Sequence, residues 1–171
     1  MFPVLRPLQL HDLPSLSEIE QRCFSDDVRE SPAVYRQRIE TFPEGTLGFF
    51  IANELAGFFC SELWDEHREI DVQQFTLSHD IRSTHHSDGT LLYISSFAVD
   101  PLHRATLRGK DAFSLAMNHM QHTSCFHAAI LLVAQSWHAA RAIYEQWGFV
   151  ELMRLPGSFP GDDGIIMQTS V

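Results

Sequence analysis

The chain has 171 residues, 44% hydrophobic and 20% charged, and a formal net charge of −10 from 22 acidic residues against 12 Lys and Arg. Its length fits a single domain over residues 1–171, and its composition argues against disorder. The acidic field argues against a nucleic-acid partner, whose binding rests on neutralising phosphates, and suits a cationic one.

In chain order, residues 3–8 read as a short strand closed by Pro7. Asp12 suits a helix start ahead of Pro14, and Leu13, Leu16, Ile19 and Phe24 follow near helical spacing. Ser31 and Pro32 open a second helix running to about Glu40, and Pro43-Glu44-Gly45 is a turn. Apolar runs over 47–53 and 55–64 hinge at Asn53-Glu54 as a β-hairpin. Residues 65–89 are polar and without period, a length that marks a functional or mobile loop.

A strong strand over 90–99 ends at Pro101, and a helix from about Leu107 to His122 stacks Ala112, Ala116 and Met120 on one face. Residues 127–134 form a buried-type strand, and 139–146 a helix ended by Gly148. Strands over 149–155 and 164–168 close the chain around a loop at 156–163. The order β-α-α-β-β-β-α-β-α-β-β implies an α/β fold, a mixed and mainly antiparallel sheet of about six or seven strands with helices on both faces.

Cys23, Cys60 and Cys125 are scattered without a CxxC spacing, as expected of free thiols in a reducing compartment. The amino terminus lacks a signal-peptide pattern, and no apolar run approaches the ~20 residues that span a bilayer. A cytoplasmic protein without membrane contact is therefore expected. His85-His86 and His119/His122 are close pairs but lack the further Cys, Asp or Glu of a zinc site, so no metal is expected.

The stretch from Val99 to Ala112 joins a strand, a Pro turn, Arg104, Arg108, Lys110 and Gly109 to an amphipathic helix. A helix N-terminus offers unpaired amides and partial positive charge, and glycine lets backbone approach an anion closely. This reads as a phosphate site.

Arg104-x-x-Leu107-x-Gly109 resembles the Arg/Gln-x-x-Gly-x-Gly/Ala motif of the GNAT acetyltransferase superfamily, with Leu107 at the first glycine position. Ala140-x-x-Ile143-Tyr144-x-x-Trp147-Gly148-Phe149 is similar to a second motif of that superfamily, and Trp137 stands where many members carry Asn. Pro43–Phe50 and Ser61-Glu62-Leu63-Trp64-Asp65-Glu66 resemble stretches of its serotonin (arylalkylamine) N-acetyltransferases.

The resemblance implies acetyl-CoA as donor and a small-molecule primary amine as acceptor, in a monomer or homodimer. Phe97, Ala98 and Val99 would pair with the pantetheine arm, and residues Arg104, Ala105, Thr106, Leu107, Arg108, Gly109 and Lys110 would hold the pyrophosphate. A β-bulge near Phe97 would free an amide to polarise the thioester, and Tyr144 would protonate the leaving thiolate. Tyr93 and Ser95 occupy the places of the serotonin group's two histidines and, on one face by alternation, could line a water chain. Glu62, Asp65 or Glu66 could replace the histidines as base or amine-binding anion. Phe24, Pro32, Phe97 and Gln135 fall on the acceptor side, with Phe49, Trp64 and Phe159 as further aromatic surface. Acetylation of a protein N-terminus or lysine, and a catalytically silent coenzyme A-binding module, are the competing readings.

Overall fold

The local signals place most elements where the chain carries them. The computed structural model describes residues 1–171. Strands β1 (Val4–Pro7), β2 (Thr46–Ile51), β3 (Glu54–Trp64), β4 (Leu91–Val99), β5 (Ala128–Ala134), β6 (Val150–Phe159) and β7 (Asp162–Ser170) form one seven-stranded sheet in the order β1-β2-β3-β4-β5-β7-β6. Only β4 and β5 pair in parallel. Helices α1 (Leu13–Cys23) and α2 (Pro32–Thr41) precede the β2–β3 hairpin. A short α3 (Ile81–Thr84) lies between β3 and β4, and α4 (Gly109–Thr123) and α5 (His138–Gln146) flank β5.

The hairpin turns through Ala52 and Asn53, both in the left-handed region at φ 50° and 68°, which matches the twist of the flanking strands. The apolar face of α4, with Phe113 at its centre, packs against Phe59, Phe97, Tyr144 and Phe149 at centroid distances of 6.1, 5.3, 5.1 and 6.1 Å. A second cluster joins Leu16 and Ile19 of α1 and Tyr35 and Ile39 of α2 to Phe50 and Phe58. The central strands are thus covered on both faces, as the unbroken burial of β2, and of β3 from Leu55 onward, requires.

Four local expectations change. Asp12 does not cap α1; its carboxylate accepts from the Gln9 amide at 2.8 Å and from Arg6 at 2.8 and 3.0 Å. Residues 65–89 are not a bare loop but carry a 3₁₀ turn at Val72–Phe75 and α3, anchored by buried Phe75 and Ile81. Helix α4 starts at Gly109, because the Thr106 and Leu107 amides both turn back to the His103 carbonyl, at 2.9 and 2.8 Å. The final strands run through most of the expected loop and pair to Phe159↔Asp162, with Gly157 and Gly161 at φ 65° and 68°. No helix is long and apolar enough to cross a membrane.

Candidate active site

Strands β4 and β5 pair from Leu91↔Ala128 to Ile94↔Leu131 and then part. A bulge at Ser95 coincides with the parting: on β3, Cys60 faces Ser96 while its neighbour Ser61 faces Ile94. The bulge therefore falls just before Phe97. It also resets strand alternation. Ile94 and Phe97 both join the cluster under α4, while Ser96 turns to α2 and meets Arg38 Nη1 at 3.0 Å. Tyr93 and Ser95 consequently do not share a face by simple alternation. Ser95 Oγ donates instead to the Cys60 carbonyl at 3.2 Å.

The gap between the strands opens into a cleft of about 1080 Å³, lined mainly by apolar side chains. Ser95–Val99 form one wall, Leu131–Val133 the other, and Tyr144 reaches it from α5. Phe97, Ala98 and Val99 thus present a strand edge that β5 does not occupy. Burial alone pushes the Tyr144 phenol up, so it stays protonated across the working pH range. Its hydroxyl makes no hydrogen bond within the protein and is not sealed off from the cleft.

At the anion segment, Arg104 and Gly109 line the cleft. The Gly109 and Lys110 amides precede the first bond of α4, which Asp111 N–H makes to the Arg108 carbonyl at 3.0 Å. They remain available to an anion. A Cβ on Gly109 would lie 2.9 Å from Ile143 Cδ1, so the bare glycine keeps this approach tight. Ala105, Thr106, Arg108 and Lys110 are exposed beside the cleft rather than on its wall. Arg108 pairs with Asp111 at 2.7 Å, and the Leu107 side chain is buried in the core. Asp100, just after β4, accepts a two-pronged contact from Arg22 of α1 at 3.0 and 2.7 Å. Its burial favours the neutral acid, yet Arg22 and the Leu102 amide hold the carboxyl below its usual range.

On the acceptor side, Phe24 lines the cleft and its ring lies 5.8 Å from Trp137, which in turn lies 5.2 Å from Phe159. This aromatic chain joins the α1–α2 connection to the β6–β7 hairpin. Pro32, exposed at the start of α2, and Gln135 lie off the cleft wall. The Gln135 backbone is engaged by Asp163 and Arg141. Phe49 is sealed in the core, and Trp64 is stacked on Tyr93 at 4.1 Å.

Glu62 is 1% exposed and cannot touch an acceptor directly. Its carboxylate receives Trp64 Nε1–H at 2.7 Å, the Thr84 hydroxyl at 3.0 Å and His79 Nε2 at 2.9 Å. Asp65 is half-buried and pairs with Arg68, and Glu66 with His127. His79, Arg38, Glu20 and Glu30 also line the cleft, although no sequence motif singles them out. Nothing local marks them, because their partners come from other elements. No group of three or more His, Cys, Asp or Glu side chains is arranged to hold a metal ion.

A sheet parted between two parallel strands, beside free amides at a helix start, offers an open strand edge for an extended arm and an anion site at its end. The chain belongs to the Acetyltransferase (GNAT) family, whose model matches residues 13–149. A search of curated proteins finds no match. Among solved structures, the loading GNATL domain of CurA from Lyngbya majuscula superposes with TM-score 0.81 at 14% identity, covering 99% of this chain and 98% of that one. The ribosomal-protein-S18-alanine N-acetyltransferase from Escherichia coli gives 0.71 at 19% identity, covering 99% and 94%. Naa50 from Arabidopsis thaliana, in complex with the bisubstrate analogue CoA-Ac-MVNAL, gives 0.71 at 17% identity and covers 100% of both chains. The family match carries the superfamily, the solved structures share its fold, and none of them supports the serotonin subgroup. Family membership makes acetyl-CoA the acetyl donor, and the free β4 edge and the amides at Gly109 and Lys110 fit it.

Proposed function

We propose that the chain transfers the acetyl group of acetyl-CoA directly to the primary amine of a small molecule. The observation that carries the acceptor class is the Phe24–Trp137–Phe159 contact. A peptide needs an open groove between the α1–α2 connection and the β6–β7 hairpin, and this contact bridges the two. The apolar lining and the carboxylates of Glu20, Asp27 and Glu30 suit an amine with an apolar body.

In this reading the Ser96–Val99 edge aligns the pantetheine arm, and the amides from Gly109 with Arg104 take the pyrophosphate. Tyr144 gives its proton to the leaving sulfur. Direct transfer is favoured by the poor quality of the one thiol on the cleft. Burial pushes Cys23 up to about 11, and its sulfur is spent on the Val99 carbonyl at 3.5 Å.

The second reading is acetylation of a protein N-terminus, favoured by the Escherichia coli neighbour, a ribosomal-protein-S18-alanine N-acetyltransferase, and by the CoA-Ac-MVNAL analogue held by Naa50. A thiol-release screen of arylalkylamines, polyamines and short peptides with acetyl-CoA tests both. The small-amine reading expects turnover of free amines and little of peptides. Preference for peptides would overturn it.

A further inference from the structure

We infer that His79 is the general base of the transfer, held in its working tautomer by Glu62, so that the acceptor is an amine arriving as its ammonium ion. The inference rests on the small-amine reading above. His79 comes from the connection between β3 and β4, is nearly sealed at 6% side-chain exposure, and still lines the cleft. Glu62 accepts from three donors, and the His79 contact at 2.9 Å leaves the ring proton on Nε2. Nδ1 then carries a lone pair. It has no partner in the protein and is not buried out of reach. A buried carboxylate fixing one ring nitrogen so that the other accepts a proton is the established logic of His–carboxylate pairs.

Position supports the role. The His79 ring lies 5.7 Å from Tyr93, and Tyr93 pairs with Ile130 one step before β4 and β5 part. His79 therefore stands at the apex of the gap, beside the bulge at Ser95. Its backbone is also pinned: Ser78, at φ 62°, donates its N–H to Glu30 at 3.0 Å. A left-handed serine is maintained only where its surroundings over-determine it. The titratable and charged groups around His79 are Glu62 of β3, Tyr93 of β4, Asp80 on its own connection, and Glu30 of the α1–α2 connection with its partner Arg38 of α2.

The proton balance closes. His79 Nδ1 takes one proton from the ammonium group. The freed nitrogen pair forms the C–N bond as the C–S bond breaks, its electron pair leaving on sulfur. Tyr144 protonates that sulfur, and the second proton lost by nitrogen restores the phenol. The proton on His79 passes to solvent.

The test compares phenethylamine, an ammonium ion at neutral pH, with hydroxylamine, which is uncharged there. His79→Gln should bind acetyl-CoA as the parent does, yet lose about 100-fold or more in kcat/KM with phenethylamine. It should lose far less with hydroxylamine, and the acidic limb of its pH–rate profile should vanish. Glu62→Gln should shift that limb to lower pH. Nitrogen-15 spectra of the parent's imidazoles should show His79 protonated at Nε2 alone. Equal losses with both acceptors, a retained limb, or an Nδ1–H tautomer would overturn the inference. If the parent binds acetyl-CoA but acetylates neither amine, the small-amine reading fails, and the tautomer still decides for or against His79.

Discussion

Removing the Tyr144 hydroxyl as Phe separates catalysis from stability. The ring is 8% exposed and wedged 5.1 Å from Phe113 and 6.1 Å from Phe149, contacts that phenylalanine keeps. The hydroxyl makes no hydrogen bond in the protein, so its loss strands no donor or acceptor. The change in folding stability should therefore stay within about 0.5 kcal/mol. Its kinetic effect should be far larger. Loss of a positioned general acid costs about 10²–10⁴ in rate, roughly 2.7–5.4 kcal/mol on the barrier. Because burial raises the phenol, the parent's Tyr144 stays protonated as the assay pH changes. The loss should then be uniform across the profile, which keeps its shape. Initial rates of thiol release give kcat, and calorimetry gives acetyl-CoA affinity, which should change by no more than about twofold. A kcat within about threefold of the parent would remove Tyr144 from the acid role, and a cooperative transition weakened by more than about 2 kcal/mol would refute the packing argument.

Trp137→Ala opens the aromatic bridge and should raise KM for a small arylalkylamine about tenfold while admitting peptide acceptors; specificity ratios from the same screen check this. Arg104→Ala should weaken acetyl-CoA binding by about 1–2 kcal/mol and flatten its dependence on salt, as calorimetry at two ionic strengths would reveal. Asp100→Asn should cost about 1–3 kcal/mol near neutral pH, with the lower part expected because Arg22 is partly solvent-screened. The folded Asp100 carboxyl lies below its unfolded value, so its stabilisation is present above the ordinary carboxylate range and lost as pH falls through the lowered value. The melting difference between parent and variant should therefore shrink in acid, and a difference constant from pH 7 to 3 would contradict the linkage.

Most elements are legible in the sequence by itself, because each is written within a few neighbouring residues; the Val72–Phe75 turn, α3 and the full length of β6 and β7 are not. Ala112, Ala116 and Met120 repeat at helical spacing and become the buried face of α4, and Gly148 does end α5, at φ 98°. The run from Val99 to Gly109 carries Arg104 and the glycine of a helix start in chain order, whereas the free strand edge before it exists only because β5 parts from β4 beyond Ile94. The tertiary structure alone decided where proton-accepting chemistry can sit. One extra residue at Ser95 flips the alternation beyond it, which undoes the pairing of Tyr93 with Ser95 inferred from a regular strand. Glu62 looked like a candidate at a strand end, but packing seals it and hands its charge to His79, a histidine from a connection without any period. A contact across 17 residues of chain depends on how α3 and the Val72–Phe75 turn fold back over β3 and β4, and no local pattern encodes that path.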